Sequence, residues 1–199
     1  VPSLGRFALL LGGCVVLGIG VALLLTADLG SDGYSTLVYG ISVALDLPFW
    51  LANLAVGVAF VALAAARKVY PGVGTVVQVA LVGGTVSLGL ALLSTPDGWA
   101  GRIGLLVLAF PVLAIGIATY LGSQTGAGPA EGAGLAWDPP VPFRWSYSAV
   151  QGGGALVGWL LGATIGAGTI AVIVLLGPLV DLAARLLQVD VHQGRPTEG

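Results

Sequence analysis

The fold is decided by a stretch that occurs twice. Residues 16–40 read VLGIGVALLLTADLGSDGYSTLVYG, and residues 112–136 read VLAIGIATYLGSQTGAGPAEGAGLA. Laid over each other, Val16, Leu17, Ile19, Gly20, Ala22 and Gly30 fall on Val112, Leu113, Ile115, Gly116, Ala118 and Gly126. A second block recurs further along, Gly72-Val73-Gly74-Thr75 returning as Gly166-Ala167-Gly168-Thr169 and Gly83 as Gly177. The offset shrinks by about two residues between the blocks, as one short deletion would make it. Two blocks in the same order at nearly one offset point to an internal duplication. In each copy an apolar run stops at a polar, glycine-bearing break.

The composition sets the solvent. Hydrophobic residues make up 57% of the 199 and charged residues only 8%, against roughly a quarter charged in a soluble domain. The mean hydropathy of +1.02 agrees, and the chain reads as one integral membrane domain whose partner is the bilayer. No basic patch exists for nucleic acid. The single cysteine, Cys14, sits in an apolar run as a small hydrophobe. His192 stands alone, so no histidine cluster invites a metal. The 33 glycines are of the kind that let membrane helices approach closely.

About 20 apolar residues cross a hydrocarbon core. Residues 7–27 satisfy this after Arg6. A cleavable leader ending near Ala27 is the rival reading, and the matching copy in mid-chain speaks against it. Residues 33–45 are apolar but too short to span upright. Residues 49–66 form a second span begun by Pro48, and residues 72–93 a third. Residues 103–122 form the fourth with Pro111 inside, 145–165 the fifth, and 169–187 the sixth with Pro178 inside. With Arg6 cytoplasmic, six spans place Arg67, Lys68, Arg144, Arg185 and Arg195 on the same side and only Arg102 outside, as the positive-inside rule asks. Residues 33–45 are then a re-entrant or interfacial half-helix.

The expected fold is therefore all-α: a polytopic membrane protein of about six transmembrane helices. These form two inverted three-helix repeats, about 6–94 and 103–187, with interrupted or re-entrant segments. A polar tail, 188–199, and the N-terminus lie in the cytoplasm, and the plasma (inner) membrane is the location. An odd number of spans per copy flips the second copy, and such inverted repeats are frequent in secondary transporters.

These residues resemble the YczE/YyaS/YitT family of bacterial integral membrane proteins. The resemblance rests on Gly18-Ile-Gly-Val-Ala-Leu23, Ala27-Asp-Leu-Gly30 with its polar turn, Gly72-Val-Gly-Thr75, Gly158-Trp-Leu-Leu-Gly162, Gly166-Ala-Gly-Thr169 and Gly177-Pro178. It covers about residues 6–187. Gly33 stands where the family pattern tends to have a proline, whereas Pro129 and Glu131 appear in the second copy. Without the soluble C-terminal domain of the YitT type, the chain is similar to the shorter YczE-like members. The resemblance implies the fold and little mechanism.

Candidate residues follow from polar groups in an apolar chain. Asp28, Gly30 and Asp32 in the first break, and Gln124, Gly126 and Glu131 in the second, are expected to line a substrate cavity. Their bland reading is loop residues in headgroup water. Asn53, Gln78 and Gln151 lie within spans, where interhelical hydrogen bonds are the alternative. Thr75 and Thr169 open helices whose N–H groups favour an anion, or simply satisfy a local backbone group. The lysine of a phosphate loop is missing after both Gly-X-Gly-Thr blocks. Glu131 and Asp181 are the ion-coupling candidates. For Asp181 the plainer reading is a pair with Arg185 one helical turn on. If the second break dips into the membrane, Glu131 is desolvated and its pKa rises.

Gly154, Gly158, Gly162 and Gly166 recur every four residues as a packing face. It is expected inside the monomer, or as a homodimer contact through Gly154, Gly158 and Gly162. No catalytic constellation, cofactor motif or metal set appears, so enzyme activity is not expected. The function expected is a small-molecule transporter or permease. The alternative is a non-transporting accessory protein that assists a partner enzyme or secretion system.

Overall fold

The computed structural model describes residues 4–47 and 49–191. Pro48 as a helix start and the tail from His192 onward, Thr197 included, lie outside the described residues. The elements are α1 (Leu4–Ala27), α2 (Gly33–Ala44), α3 (Phe49–Ala66), α4 (Val73–Leu92), α5 (Trp99–Gly122), α6 (Pro129–Leu135), α7 (Phe143–Leu160) and α8 (Ala167–Leu187). All regular structure among the described residues is helical. α1, α4, α5 and α8 are long and apolar enough to cross a membrane. α7 is of spanning length but carries Arg144, Ser146, Ser148 and Gln151.

The four elements of the first copy recur in order in the second: a long helix, a short one, and two longer ones. The breaks explain why the second element is separate. α1 stops at Ala27 because Asp28 turns to φ 51° and Gly30 to φ 117°. The second break repeats this at Gln124, φ 55°, and Gly126, φ 123°. These are left-handed conformations, easy for glycine and tolerated by short polar residues. Each break then lies on the other copy's Gly-X-Gly-Thr block. The Gly168 N–H donates to the Leu29 carbonyl at 2.7 Å, and the Gly74 N–H donates to the Thr125 carbonyl at 2.8 Å. Thr75 Oγ1 accepts from the Gly72 N–H at 3.1 Å, and Thr169 Oγ1 accepts from the Gly166 N–H at 3.4 Å. Free N–H groups at two helix starts are thus satisfied by protein.

α1 and α5 cross antiparallel at the centre. A Cβ on Gly20 would meet the Leu113 backbone, and one on Gly116 would meet the Leu17 backbone. The two long helices therefore touch main chain to main chain, which small residues permit and which lipid-solvated helices need for dispersion contact. Around this crossing lie Leu10, Cys14, Leu17, Leu113, Ile117, Leu121, Val172, Leu176 and Val180, all buried. α2 lies as closely on α7, where Gly154 and Gly158 face the Gly33 and Thr36 carbonyls.

The fourth helices differ. α8 packs on both α5 and α7, widened by a π turn at Val172–Leu176 just before Pro178. α4 packs mainly on α1 and has no comparable contact with α3. A gap between α3 and α4 is the result.

Two expectations change. The fifth span ends at Leu160 rather than at 165, because Gly162 takes φ 102° in the turn that follows. The glycine repeat is therefore not one helix face: Gly154 and Gly158 pack on α2, Gly162 makes a turn, and Gly166 starts α8. A homodimer through these glycines would have to displace α2. At the start of the tail Val189 packs against Gly122 and Val191 is buried.

Candidate functional site

The gap between α3 and α4 opens into a cavity of about 300 Å³. Its walls come from both copies. Leu17, Val21 and Leu24 of α1, Val79, Val82 and Val86 of α4, and Leu113 and Ile117 of α5 make the apolar part. Asp32, Tyr34, Ser35, Asn53, Gln78, Glu131, Tyr147 and Gln151 make the polar part. An apolar pocket of this size with few convergent polar groups is the usual form of a small-molecule site.

Glu131 sits at the polar end. Pro129 starts α6, as its fixed φ favours, and Glu131 follows in the same turn, where the N-terminal dipole favours an acid. The side chain is only 5% exposed. Its carboxyl is met by its own N–H and by the hydroxyls of Tyr120 and Tyr147. A Cβ on Gly128 would lie 2.7 Å from Glu131 Oε2 and 2.8 Å from Gln78 Nε2, so this glycine leaves room for both side chains.

The hydrogens around it are directional. The Tyr34 N–H donates to Gln151 Oε1 at 3.1 Å, and Gln151 Nε2 donates to the Tyr147 hydroxyl at 2.9 Å. A backbone N–H only donates, so the amide orientation follows, and the Tyr147 proton is left to face Glu131. On the other side the Gly128 N–H donates to the Tyr120 hydroxyl at 3.1 Å, which likewise leaves that proton for the carboxyl. Two chains of donors end on one acid.

Burial raises the Glu131 pKa above the usual carboxylate value. The three hydrogen bonds oppose the shift, and the charge of Asp32 adds to it. Asp32 caps α2 by accepting from the Ser35 N–H at 3.0 Å. The Tyr34 hydroxyl donates to Asn53 Oδ1 at 3.0 Å and so ties α2 to α3.

Of the residues expected from sequence to contact a substrate, Asp32, Asn53, Gln78, Glu131 and Gln151 come together in this cavity. The rest are elsewhere for identifiable reasons. Asp28 pairs with Arg102 at 3.0 Å on the surface. Gln124 Nε2 donates to the Asp190 carbonyl at 2.6 Å. Gly30 lies on Thr169, and Gly126 on Gly72 and Thr75, as close backbone contacts. Thr75 Oγ1 donates to the Ala127 carbonyl at 2.7 Å. Asp181 lies 4.0 Å from Arg144 Nε, on a surface indentation that Arg185 also lines, away from Glu131.

Tyr34, Ser35, Tyr147 and Tyr120 were not foreseen. Tyr147 stands four residues before Gln151, one helical turn away on α7, so the pattern pointing to it was in the chain. Tyr120 had no such mark.

The sequence pattern of the family of unknown function DUF6198 matches residues 4–185, and the chain belongs to that family. An uncharacterised protein of Haemophilus influenzae is 23% identical over 182 residues, covering 90% of this chain and 84% of its own. No solved structure matches.

Proposed function

We propose that this DUF6198 member is a small-molecule transporter whose solute binds between its two copies. The observation that carries this is the cavity: one site, lined from both halves, beside two helix breaks. That is where secondary transporters with inverted repeats hold their substrates.

The reading includes six spans, with α3 and α7 crossing as well, and α2 and α6 as half-helices. It includes an inverted relation of the copies, favoured by the antiparallel α1–α5 crossing and its reciprocal glycine contacts. Both termini are then cytoplasmic, and kinship to the YczE/YyaS/YitT proteins belongs to the same proposal. The accessory-protein alternative draws on small size, short loops and the glycine ladder, and in that ladder Gly154 and Gly158 are occupied by α2.

Two labelling experiments test it. In a Cys14→Ala background, Gln78→Cys is exposed in oriented vesicles to an impermeant thiol reagent. Alternating access requires labelling from both sides. Labelling from one side only, or from neither, overturns transport. For topology, a cysteine at Asp97 should react from outside and one at Thr197 only after permeabilisation. The opposite pattern overturns the inverted arrangement.

A further inference from the structure

Resting on that reading of the cavity, we infer that its solute is an organic cation with an apolar body, a quaternary or protonated amine, countered by Glu131 and Asp32. The charge of the lining is one-sided. Among the described residues two carboxyl groups face the cavity and no lysine or arginine does. Three of the basic groups have partners elsewhere: Arg102 on Asp28, Arg144 near Asp181, and Arg67 against the Ala136 carbonyl and over the Trp137 ring. An anion would meet two acids and no cation. A neutral apolar solute would bring no countercharge to either acid, and Asp32 would keep only its Ser35 N–H partner.

A bare metal ion fits poorly as well. Among the described residues no group of three His, Cys, Asp or Glu side chains converges, and most of the wall is aliphatic. An organic cation satisfies both parts. Its alkyl or aryl body fills the aliphatic end, and its charge lies by the carboxyls and the rings of Tyr34 and Tyr147, which attract ammonium groups by their π faces. The space, about 300 Å³, equals roughly ten waters of liquid volume.

Glu131 makes the binding proton-linked. The groups that face it are Tyr120 of α5, Tyr147 of α7, Gln78 of α4, and Asp32 and Tyr34 at the start of α2, with Cys14 of α1 within its field. Asp32 is the only other acid in that set. Arg67, directly after α3, donates to the Ala136 carbonyl at the C-terminal end of α6. When the carboxyl is protonated, an arriving cation displaces the proton to water. One positive charge enters as one leaves, and the charge of the cavity is unchanged.

The test is calorimetric binding of benzyltrimethylammonium to the purified full-length chain, with neopentylbenzene as its neutral isostere. The charge of the first is the same at every pH, so any pH dependence belongs to the protein. The cation should bind about tenfold or more tightly than the isostere. Its affinity should rise between pH 5.5 and 8, by up to about tenfold per pH unit where one proton must leave. Glu131→Gln should weaken binding and abolish the pH dependence, whereas Asp32→Asn should weaken binding and keep it. If Glu131→Gln does not fold, the unaltered protein's charge selectivity and pH dependence decide alone. Equal binding of the isostere, an affinity that ignores pH, or no binding of either compound overturns the inference.

The outcome separates from that of the labelling experiment. A cation-selective, pH-linked site with Gln78→Cys reached from one side only keeps this inference and removes transport. Labelling from both sides without charge selection does the reverse.

Discussion

The two copies use the same order of elements and close differently. In the second, α8 lies against both α5 and α7, and the π turn before Pro178 widens the helix where it does so. In the first, α4 lies on α1 and leaves α3, and the cavity opens there. The short helices diverge in the opposite sense. α2 is clamped on α7 by backbone contacts at Gly33, Gly154 and Gly158. α6 meets α3 more loosely, with Ala64 Cβ 3.6 Å from where a Cβ on Gly132 would be. Two stretches with the same order of elements thus pack differently: the second closes at its fourth helix, and the first leaves a chamber that Glu131 of the second helps to line.

The largest expected effect lies in the short-helix contacts. Gly158→Ala pushes a methyl into the Thr36 carbonyl, so α2 and α7 must separate. A loss of about 3 kcal/mol or more is expected, at the upper end of overpacking costs. Gly132→Ala meets ordinary van der Waals space and should stay within about 1 kcal/mol. Thermal unfolding of both variants in one detergent measures the difference. Equal losses would mean that the two short helices are held alike.

Next come the helix starts. Thr75→Val removes the hydroxyl that joins Gly72 and Ala127 at 3.1 Å and 2.7 Å, a loss of about 1–3 kcal/mol for buried groups left unsatisfied. Thr169→Val breaks a longer bond, 3.4 Å to the Gly166 N–H, and should cost less. The same unfolding assay ranks them, and the reverse order would contradict the geometry.

The acid provides a pH signature. Glu131 keeps its proton to higher pH in the fold than in the unfolded chain. The folded state therefore binds more protons above the ordinary carboxylate pKa, and stability falls as pH rises through that window. The slope is at most about 1.4 kcal/mol per pH unit. Glu131→Gln should flatten the profile between pH 5 and 8, whereas Ser35→Ala, at the corresponding place in the first copy, should leave it as it is. An unchanged profile in Glu131→Gln would assign the pH dependence to another group.

The smallest effect is at the first residues of the breaks. Asp28 holds Arg102 in an ion pair in which the Asp28 side chain is 67% exposed. Asp28→Asn keeps the left-handed turn and should cost under about 1 kcal/mol, less at high salt. A larger or salt-independent loss would show that this end of the molecule is buried against something.

Much of the fold was legible because hydrocarbon is a simple solvent. Run length marked where the helices lie, and the break residues marked where they stop. The site was legible in part, since Asp32, Asn53, Gln78, Glu131 and Gln151 stand out as polar groups in an apolar chain. The same criterion also marked Asp28, Gln124, Thr75 and Thr169, which lie outside the cavity, because polarity does not say whether a side chain's partner is local backbone, a surface charge or an open space.

The duplicated pattern by itself determined that helices of membrane type, broken at Gly30 and Gly126, would build this molecule. Those readings depend on neighbours along the chain: apolar length, a left-handed turn, a proline at a helix start. Only the tertiary structure decided that α4 leaves α3 while α8 closes on α7, and therefore that a cavity lined by Glu131 opens there. That choice depends on where glycines let one backbone reach another, and such reach is a property of pairs of helices that no single stretch of sequence contains.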